Sequence, residues 1–174
     1  TLSELMRAEG MRVAQQSSHN QAEFYLNTHP CEILNERFVD SLNVLRAEFP
    51  EMRISIEIHE AAVTNPASIL ELRQLLNDLN MGLAYDDFGA GQGRLLELGE
   101  VPPDVLKFDM QLIRGIARAS VSRQEMIATL VKLAIDLGSM PLAEGIETEE
   151  EHEVCAQMGF QLGQGFLYGR PCPF

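Results

Sequence analysis

Short apolar runs alternate with amphipathic segments along most of this chain, and the pattern repeats about every 30 residues. Apolar runs of this length are typical of buried strands, whereas apolar positions spaced three and four residues apart are typical of helices. The pattern predicts strands at six places, which read EFYLN, RISIEI, MGLAYD, DVLKFD, MPLAE and FQLGQGF in chain order.

Helices are predicted between these strands, and several carry recognisable end signals. Asn65 and Pro66 are suited to the N-cap and first turn of a helix. Thr148 and Glu151 have the spacing of a capping box, and Gly159 follows as a helix stop. The predicted helices cover 35–49, a segment starting near 66, GRLLELGE, MQLIRGIA, 126–137 and 148–158.

Strands that alternate with helices predict an α/β fold with a parallel sheet and right-handed crossovers. Either an open doubly wound sheet or a barrel fits this order. A complete barrel of eight strands and eight helices takes about 250 residues, and this chain has 174. On the barrel interpretation, one or two N-terminal β/α units are therefore absent or irregular in the chain.

Composition and charge narrow the range of functions. The formal net charge of −13 argues against binding a nucleic acid polymer along an extended surface. No apolar run approaches the roughly 18 residues of a membrane span, and the start does not resemble a signal peptide. The three cysteines are widely separated and lack metal-type spacing, as expected of reduced thiols. We therefore expect a cytoplasmic protein with no direct membrane insertion.

Polar residues that could bind a metal stand at the end of nearly every predicted strand. Because the carboxyl ends of parallel strands carry the active sites of α/β folds, these side chains are expected to converge. Asparagine and carboxylate oxygens suit magnesium or manganese rather than zinc. Taken singly, a residue of these types lies more often in a solvated turn, or carries a surface charge, than it binds a metal. The strand-end residues are Asn27, Glu57, Asp86, Asp87, Lys107, Asp109, Glu144 and Gln164.

The adjacent pair Asp86 and Asp87 is followed by the glycine-rich segment GAGQG. Two neighbouring carboxylates repel each other unless cations offset them. Two cations about 3.5–4 Å apart are found in hydrolytic phosphodiesterases, and Asp86 could bridge such a pair while Asp87 binds one of them. Lys107 could orient the attacking water or neutralise a phosphate, and the glycine segment could form a mobile loop over the substrate.

The motifs IEIHE, AYDDFGAG, VLKFD, LAEGIET and GQGFLYGRPCP, in this order and spacing, resemble the EAL-domain family of bacterial cyclic di-GMP phosphodiesterases. The resemblance covers about residues 25–173. It implies a modified TIM-type α/β barrel that hydrolyses cyclic di-GMP to linear pGpG with two magnesium or manganese ions.

The resemblance also assigns roles to individual residues. It implies that Lys107 supports the attacking water, and that Glu144 and Gln164 complete the catalytic site. It implies that Glu60 anchors the loop after Asp87, which in the family couples metal binding, substrate binding and dimerisation. The implied metal ligands are Asn27, Glu57, Asp86 and Asp87.

The motif that names the family, Glu-x-Leu with a metal-binding glutamate on an early strand, is not evident here. The segment SELMR at residues 3–7 could be a degenerate version. We favour a helix, with the first strands outside this chain or lost. We thus expect one EAL-type domain over 1–174, in which 1–22 form an N-terminal helix or a degenerate first motif.

Other positions also depart from the family pattern. Ala90 stands where threonine is usual, and QGR replaces the usual Tyr-Ser-Ser run. His59, Asp109 and Glu147 are expected to hydrogen-bond the ligands. His59 could also bind metal itself, since it shares a face of its strand with Glu57.

Three functions remain compatible with these residues. The first is a metal-dependent phosphodiesterase in which water attacks one phosphorus of cyclic di-GMP. The second is a catalytically impaired domain that binds cyclic di-GMP as a receptor, and the third is a purely dimerising domain. A homodimer and further domains of a longer parent protein are the expected protein partners.

Overall fold

The computed structural model describes residues 2–17, 21–33, 35–59, 66–91 and 95–171. The chain forms two compact units, the first extending to Ala84 and the second beginning at Tyr85. Helices and strands alternate in both units, which confirms the predicted α/β class. In the part of the chain described, no helix combines the length and apolar character needed to cross a membrane.

The N-terminal unit is built around a parallel pair of strands. The two strands pair in register from Glu23 with Arg53 to Thr28 with Ile58. The elements are α1 (Leu2–Gln16), β1 (Glu23–Thr28), a 3-10 turn (Pro30–Glu32), α2 (Glu36–Glu48), β2 (Arg53–His59), α3 (Pro66–Asp78) and the first residues of β3 (Gly82–Phe88).

Burial explains why these segments fold as they do. Residues 54–58 of β2 are all buried, as expected of a strand covered on both faces. Helix α2 buries Phe38, Leu42 and Leu45, which recur at helical spacing. Asn35 caps this helix, since its side chain accepts a hydrogen bond from the Arg37 N–H.

In the C-terminal unit, β5 pairs in parallel with both β4 and β6. Phe108 packs edge to face against Phe88 and Phe160, with ring centroids 5.2 and 5.0 Å apart. The elements after β3 are α4 (Leu95–Glu100), β4 (Val105–Phe108), α5 (Met110–Ile113), a 3-10 turn (Ile116–Arg118), α6 (Val121–Asp136), β5 (Met140–Glu144), α7 (Glu149–Met158) and β6 (Leu162–Gln164).

The predicted strands are all present, but some boundaries differ. Strand β6 is limited to Leu162–Gln164, because the backbone bends at Gly165. An added Cβ at this glycine would clash with the Ile146 carbonyl oxygen. Helix α6 begins at Val121 rather than near Met126, since the Ser120 hydroxyl caps it by accepting from the Arg123 N–H. The predicted cap Asn65 lies outside the described residues.

Candidate functional site

In the C-terminal unit, the Lys107 ammonium lies between two carboxylates from different strands. Its Nζ is 2.7 Å from Asp86 Oδ1 and 2.9 Å from Glu144 Oε1. The three side chains are largely removed from solvent, with 6, 20 and 15% of the Lys107, Asp86 and Glu144 side chains exposed. The predicted convergence of these strand-end groups is therefore observed within this unit.

The backbone at the end of β3 determines where Asp87 stands. Asp87 has a φ of 58°, a left-handed conformation that aspartate tolerates better than most residues. The Ala90 N–H donates to the Asp87 carbonyl, which closes a turn after the strand. The Asp109 N–H donates to the Phe88 carbonyl over 3.1 Å and links this turn to the end of β4.

Asp86, Asp87 and Glu144 form a cluster with the geometry of a metal site. Each supplies a carboxylate oxygen, and the three oxygens all lie within 4.8 Å of one another. Hard oxygen ligands at this separation suit magnesium or manganese. The residues present therefore fit a divalent cation.

Electrostatics within the cluster favour proton binding at Glu144. Burial raises the pKa of the Glu144 carboxyl, and the negative charges of Asp86 and Asp87 act in the same direction. The hydrogen bond from Lys107 opposes these effects without cancelling them. Glu144 is therefore easier to protonate than an ordinary glutamate.

Gln164 is brought beside this cluster by strand pairing, since it lies opposite Glu144 in the register of β5 and β6. Glu144 and Gln164 line a pocket of about 220 Å³. Met110, Arg114 and Phe166 also line it. The sequence analysis gave these three residues no role, although Phe166 lies within the motif GQGFLYGRPCP.

Two residues that are expected to hydrogen-bond the ligands have other partners in the structure. Asp109 is the N-cap of α5, and its Oδ1 accepts from the Gln111 N–H over 2.7 Å. Glu147 pairs with Arg114 at the surface, with 2.8 Å between Oε1 and Nη2, and also lines the pocket.

The N-terminal unit holds the other predicted ligands. Asn27 lies directly opposite Glu57 in the register of β1 and β2. Glu57 is buried, whereas Asn27 and His59 are exposed. The Asn27 carbonyl accepts a 3.3 Å hydrogen bond from the buried Arg7 of α1, a contact that no sequence signal indicated.

The expected loop anchor, Glu60, lies outside the described residues.

A comparison with known proteins shows what this chain is similar to. It is 32% identical over 150 residues to the cyclic di-GMP phosphodiesterase RocR of Pseudomonas aeruginosa, covering 84% of this chain and 38% of RocR. It matches a calcium and cyclic di-GMP complex of Klebsiella pneumoniae BlrP1 with a TM-score of 0.88 and 31% identity. That match covers 98% of this chain and 44% of BlrP1.

A manganese and cyclic di-GMP complex of BlrP1 matches with a TM-score of 0.87, with the same identity and coverage. These similarities confirm the fold class that the sequence predicts, and the chain spans less than half the length of either relative. The family model described as "EAL domain" matches residues 1–171. Since this match covers nearly the whole sequence, the chain belongs to the EAL domain family.

Proposed function

We propose that this chain is a metal-dependent phosphodiesterase domain that hydrolyses cyclic di-GMP to linear pGpG. The observation that carries the proposal is the oxygen cluster of Asp86, Asp87 and Glu144 with Lys107 in contact. Membership of the EAL domain family and similarity to a protein named as a cyclic di-GMP phosphodiesterase support it.

Asp86 and Asp87 are the proposed ligands of magnesium or manganese, with Glu144 within reach of the same ion. Asn27 and Glu57 are proposed as further ligands on the basis of the family resemblance. A bound divalent cation would polarise the phosphate and lower the pKa of the attacking water. The manganese complex of BlrP1 supports a requirement for a divalent cation.

The chain's own side chains have separate tasks in this proposal. The Lys107 ammonium can donate a hydrogen bond to a phosphate oxygen and offset its negative charge. Glu144 can accept a proton at its carboxylate, for which its raised pKa suits it. The Gln164 amide can donate to the substrate from the rim of the pocket. Glu60 is proposed to anchor the loop that follows Asp87.

Hydrolysis of cyclic di-GMP is the direct test. The protein, in the full length in which it occurs, is incubated with cyclic di-GMP and manganese, and pGpG is resolved by chromatography. We expect product from the wild type and a loss of at least about 100-fold with Asp86→Asn. Asp136→Asn, at an exposed pair with Lys132, is the matched control and should retain activity. Binding of the dinucleotide without any product would support the receptor function instead.

We also propose that the protein acts as a homodimer within a longer polypeptide. Leu95 and Leu96 of α4 are exposed by 45 and 83%, so their apolar side chains are available for an interface. Sedimentation should show a dimer that Leu96→Glu dissociates. A monomeric wild type would contradict this assignment.

A cytoplasmic location is proposed as well. Cys31 and Cys155 are free thiols in the described part of the chain, as expected in a reducing compartment. Fractionation of cells that produce the protein should recover it with cytoplasmic markers.

A further inference from the structure

Lys107 is buried in the middle of the group that is proposed to hold the metal. We propose that its ammonium is the counter-ion of the carboxylate cluster in the metal-free protein, and that it competes with divalent cations for the same oxygens. This inference rests on the proposed metal-dependent function. It adds a role for Lys107 that precedes substrate binding and limits metal affinity.

The packing of Lys107 supports this role. Only 6% of its side chain is exposed, and an ammonium group removed from water is unfavourable unless opposite charges compensate it. Asp86 and Glu144 supply that compensation from β3 and β5, at 2.7 and 2.9 Å. The ammonium in turn reduces the repulsion between the two carboxylates.

Metal binding uses the same atoms. Asp86 and Glu144 both belong to the oxygen cluster that fits a divalent cation. A dication among these oxygens would repel the ammonium, because both carry positive charge and share partners. Lys107 must then weaken its ion pair with Asp86, with Glu144 or with both. The cluster would therefore bind metal more tightly without the lysine.

A different role for Lys107 predicts the opposite change in metal affinity. If Lys107 mainly holds the carboxylates in the correct geometry, then removing it would weaken metal binding. The two roles predict changes of opposite sign in the dissociation constant for the metal.

The composition of the chain allows Lys107 to be observed directly in the wild-type protein. Lys107 and Lys132 are the two lysines of this 174-residue chain. Lys132 lies on the exposed side of α6, where it pairs with Asp136. In a protein labelled with nitrogen-15 at lysine, this chain therefore contributes two side-chain ammonium signals, one from the cluster and one from an internal control, and the variants Lys107→Met and Lys132→Met assign them.

The first experiment titrates magnesium into the labelled protein, because this ion is diamagnetic. We expect the Lys107 ammonium signal to shift in proportion to metal occupancy, while the Lys132 signal stays in place. Calorimetry on the same samples measures occupancy independently. Magnesium binding that leaves the Lys107 signal unmoved would overturn the inference.

The second experiment measures magnesium affinity in Lys107→Met, which keeps the length of the side chain and removes its charge. We expect a dissociation constant about tenfold lower than that of the wild type. The melting temperature should fall without metal and recover towards the wild-type value at saturating magnesium. Lys132→Met is the matched control and should leave the affinity unchanged.

The outcomes separate this inference from the function on which it rests. If the wild type binds magnesium but Lys107→Met binds it equally or more weakly, the counter-ion role is wrong and the proposed metal site stands. If the wild type binds neither magnesium nor manganese, the proposed metal site itself is wrong, and the counter-ion role falls with it. If Lys107→Met fails to fold, the magnesium titration of the labelled wild type tests the counter-ion role by itself.

Discussion

Glu144 lies 2.9 Å from the Lys107 ammonium, yet burial raises the pKa of its carboxyl group despite this favourable contact. The folded chain therefore binds a proton at Glu144 more tightly than the unfolded chain does. A carboxyl group of this kind contributes stability that is present below its ordinary pKa of 4.5 and is lost as the pH rises through the raised value.

We predict that Glu144→Gln reduces the loss of stability on raising the pH, because glutamine remains neutral. The melting temperature is measured in chelator between pH 4.5, the ordinary pKa of the group, and about pH 7. The wild type should lose more stability over this interval than the variant. Glu125→Gln, on the exposed side of α6, is the control and should follow the wild type. Parallel curves for wild type and Glu144→Gln would contradict the prediction.

Of the glutamates in α7, Glu151 should contribute most to the stability of the fold. It is buried, and its carboxylate accepts from the backbone N–H groups of Gly115, Glu147 and Thr148 at 2.7, 3.0 and 3.3 Å. Burial acts to raise its pKa, but these donors outweigh burial and the net shift is downward. The stability it contributes is therefore present above its ordinary pKa and is lost as the pH falls.

We predict that Glu151→Ala lowers the free energy of unfolding at pH 7 by about 2 kcal/mol, because buried donors lose a charged acceptor. The cost should shrink as the pH falls below 4.5, the ordinary pKa of the group, and through the lowered pKa at which the wild-type carboxylate becomes protonated. Urea unfolding at pH 7 and below pH 4.5 measures both effects. The neighbouring Glu150→Ala, at an exposed position, should cost far less. Equal costs for the two variants would contradict the capping role.

Gly89 and Gly91 form a matched pair in the loop after the two aspartates. Gly89 has a φ of 92°, and an added Cβ would lie 2.5 Å from Leu112 Cδ1, whereas nothing lies within 4 Å of a Cβ at Gly91. We predict that Gly89→Ala costs at least about 1–2 kcal/mol from its left-handed backbone, and that Gly91→Ala is nearly neutral. Chemical denaturation compares them, and an equal effect at both positions would show that Gly89 is not conformationally restricted.

Arg46 holds together the turn before β2 and the turn after α3 in the N-terminal unit. Its Nη1 donates to the carbonyls of Phe49, Pro50 and Met52, while its Nε and Nη2 donate to those of Leu79 and Asn80. The planar guanidinium presents these donors in directions that an ammonium cannot match.

We predict that Arg46→Met lowers the free energy of unfolding by about 2 kcal/mol or more, and that Arg46→Lys recovers only a small part of it. Thermal and urea unfolding would measure both variants. Arg37→Met, at an exposed position of the same helix, controls for loss of charge. Full recovery by lysine would mean that charge, rather than the pattern of donors, is what stabilises these turns.

Sequence reasoning was most successful where the information is local. The capping box of Thr148 and Glu151 and the helix stop at Gly159 occupy the predicted positions, because each depends on residues within one turn. The predicted start of helix α6, near Met126, is later in the chain than the observed start at Val121. Its N-cap, Ser120, lies before the apolar periodicity becomes visible.

The candidate site was partly predictable for the same reason. Apolar runs that end in Asp86, Lys107 and Glu144 place polar groups at the carboxyl ends of strands, which meet at one edge when the strands are parallel. The sequence does not contain the distances between them. Only the folded structure shows which carboxylates the Lys107 ammonium contacts.

The order of apolar and polar residues by itself determined the alternation of strands and helices, the α/β class and the set of candidate ligands. The tertiary structure decided the contacts between residues far apart in the chain, such as Arg46 with Leu79 and Gly115 with Glu151. The physical reason is that periodicity reports which face of an element is buried. A hydrogen bond between distant segments depends instead on how those segments pack against each other. That packing is fixed only when the core has assembled.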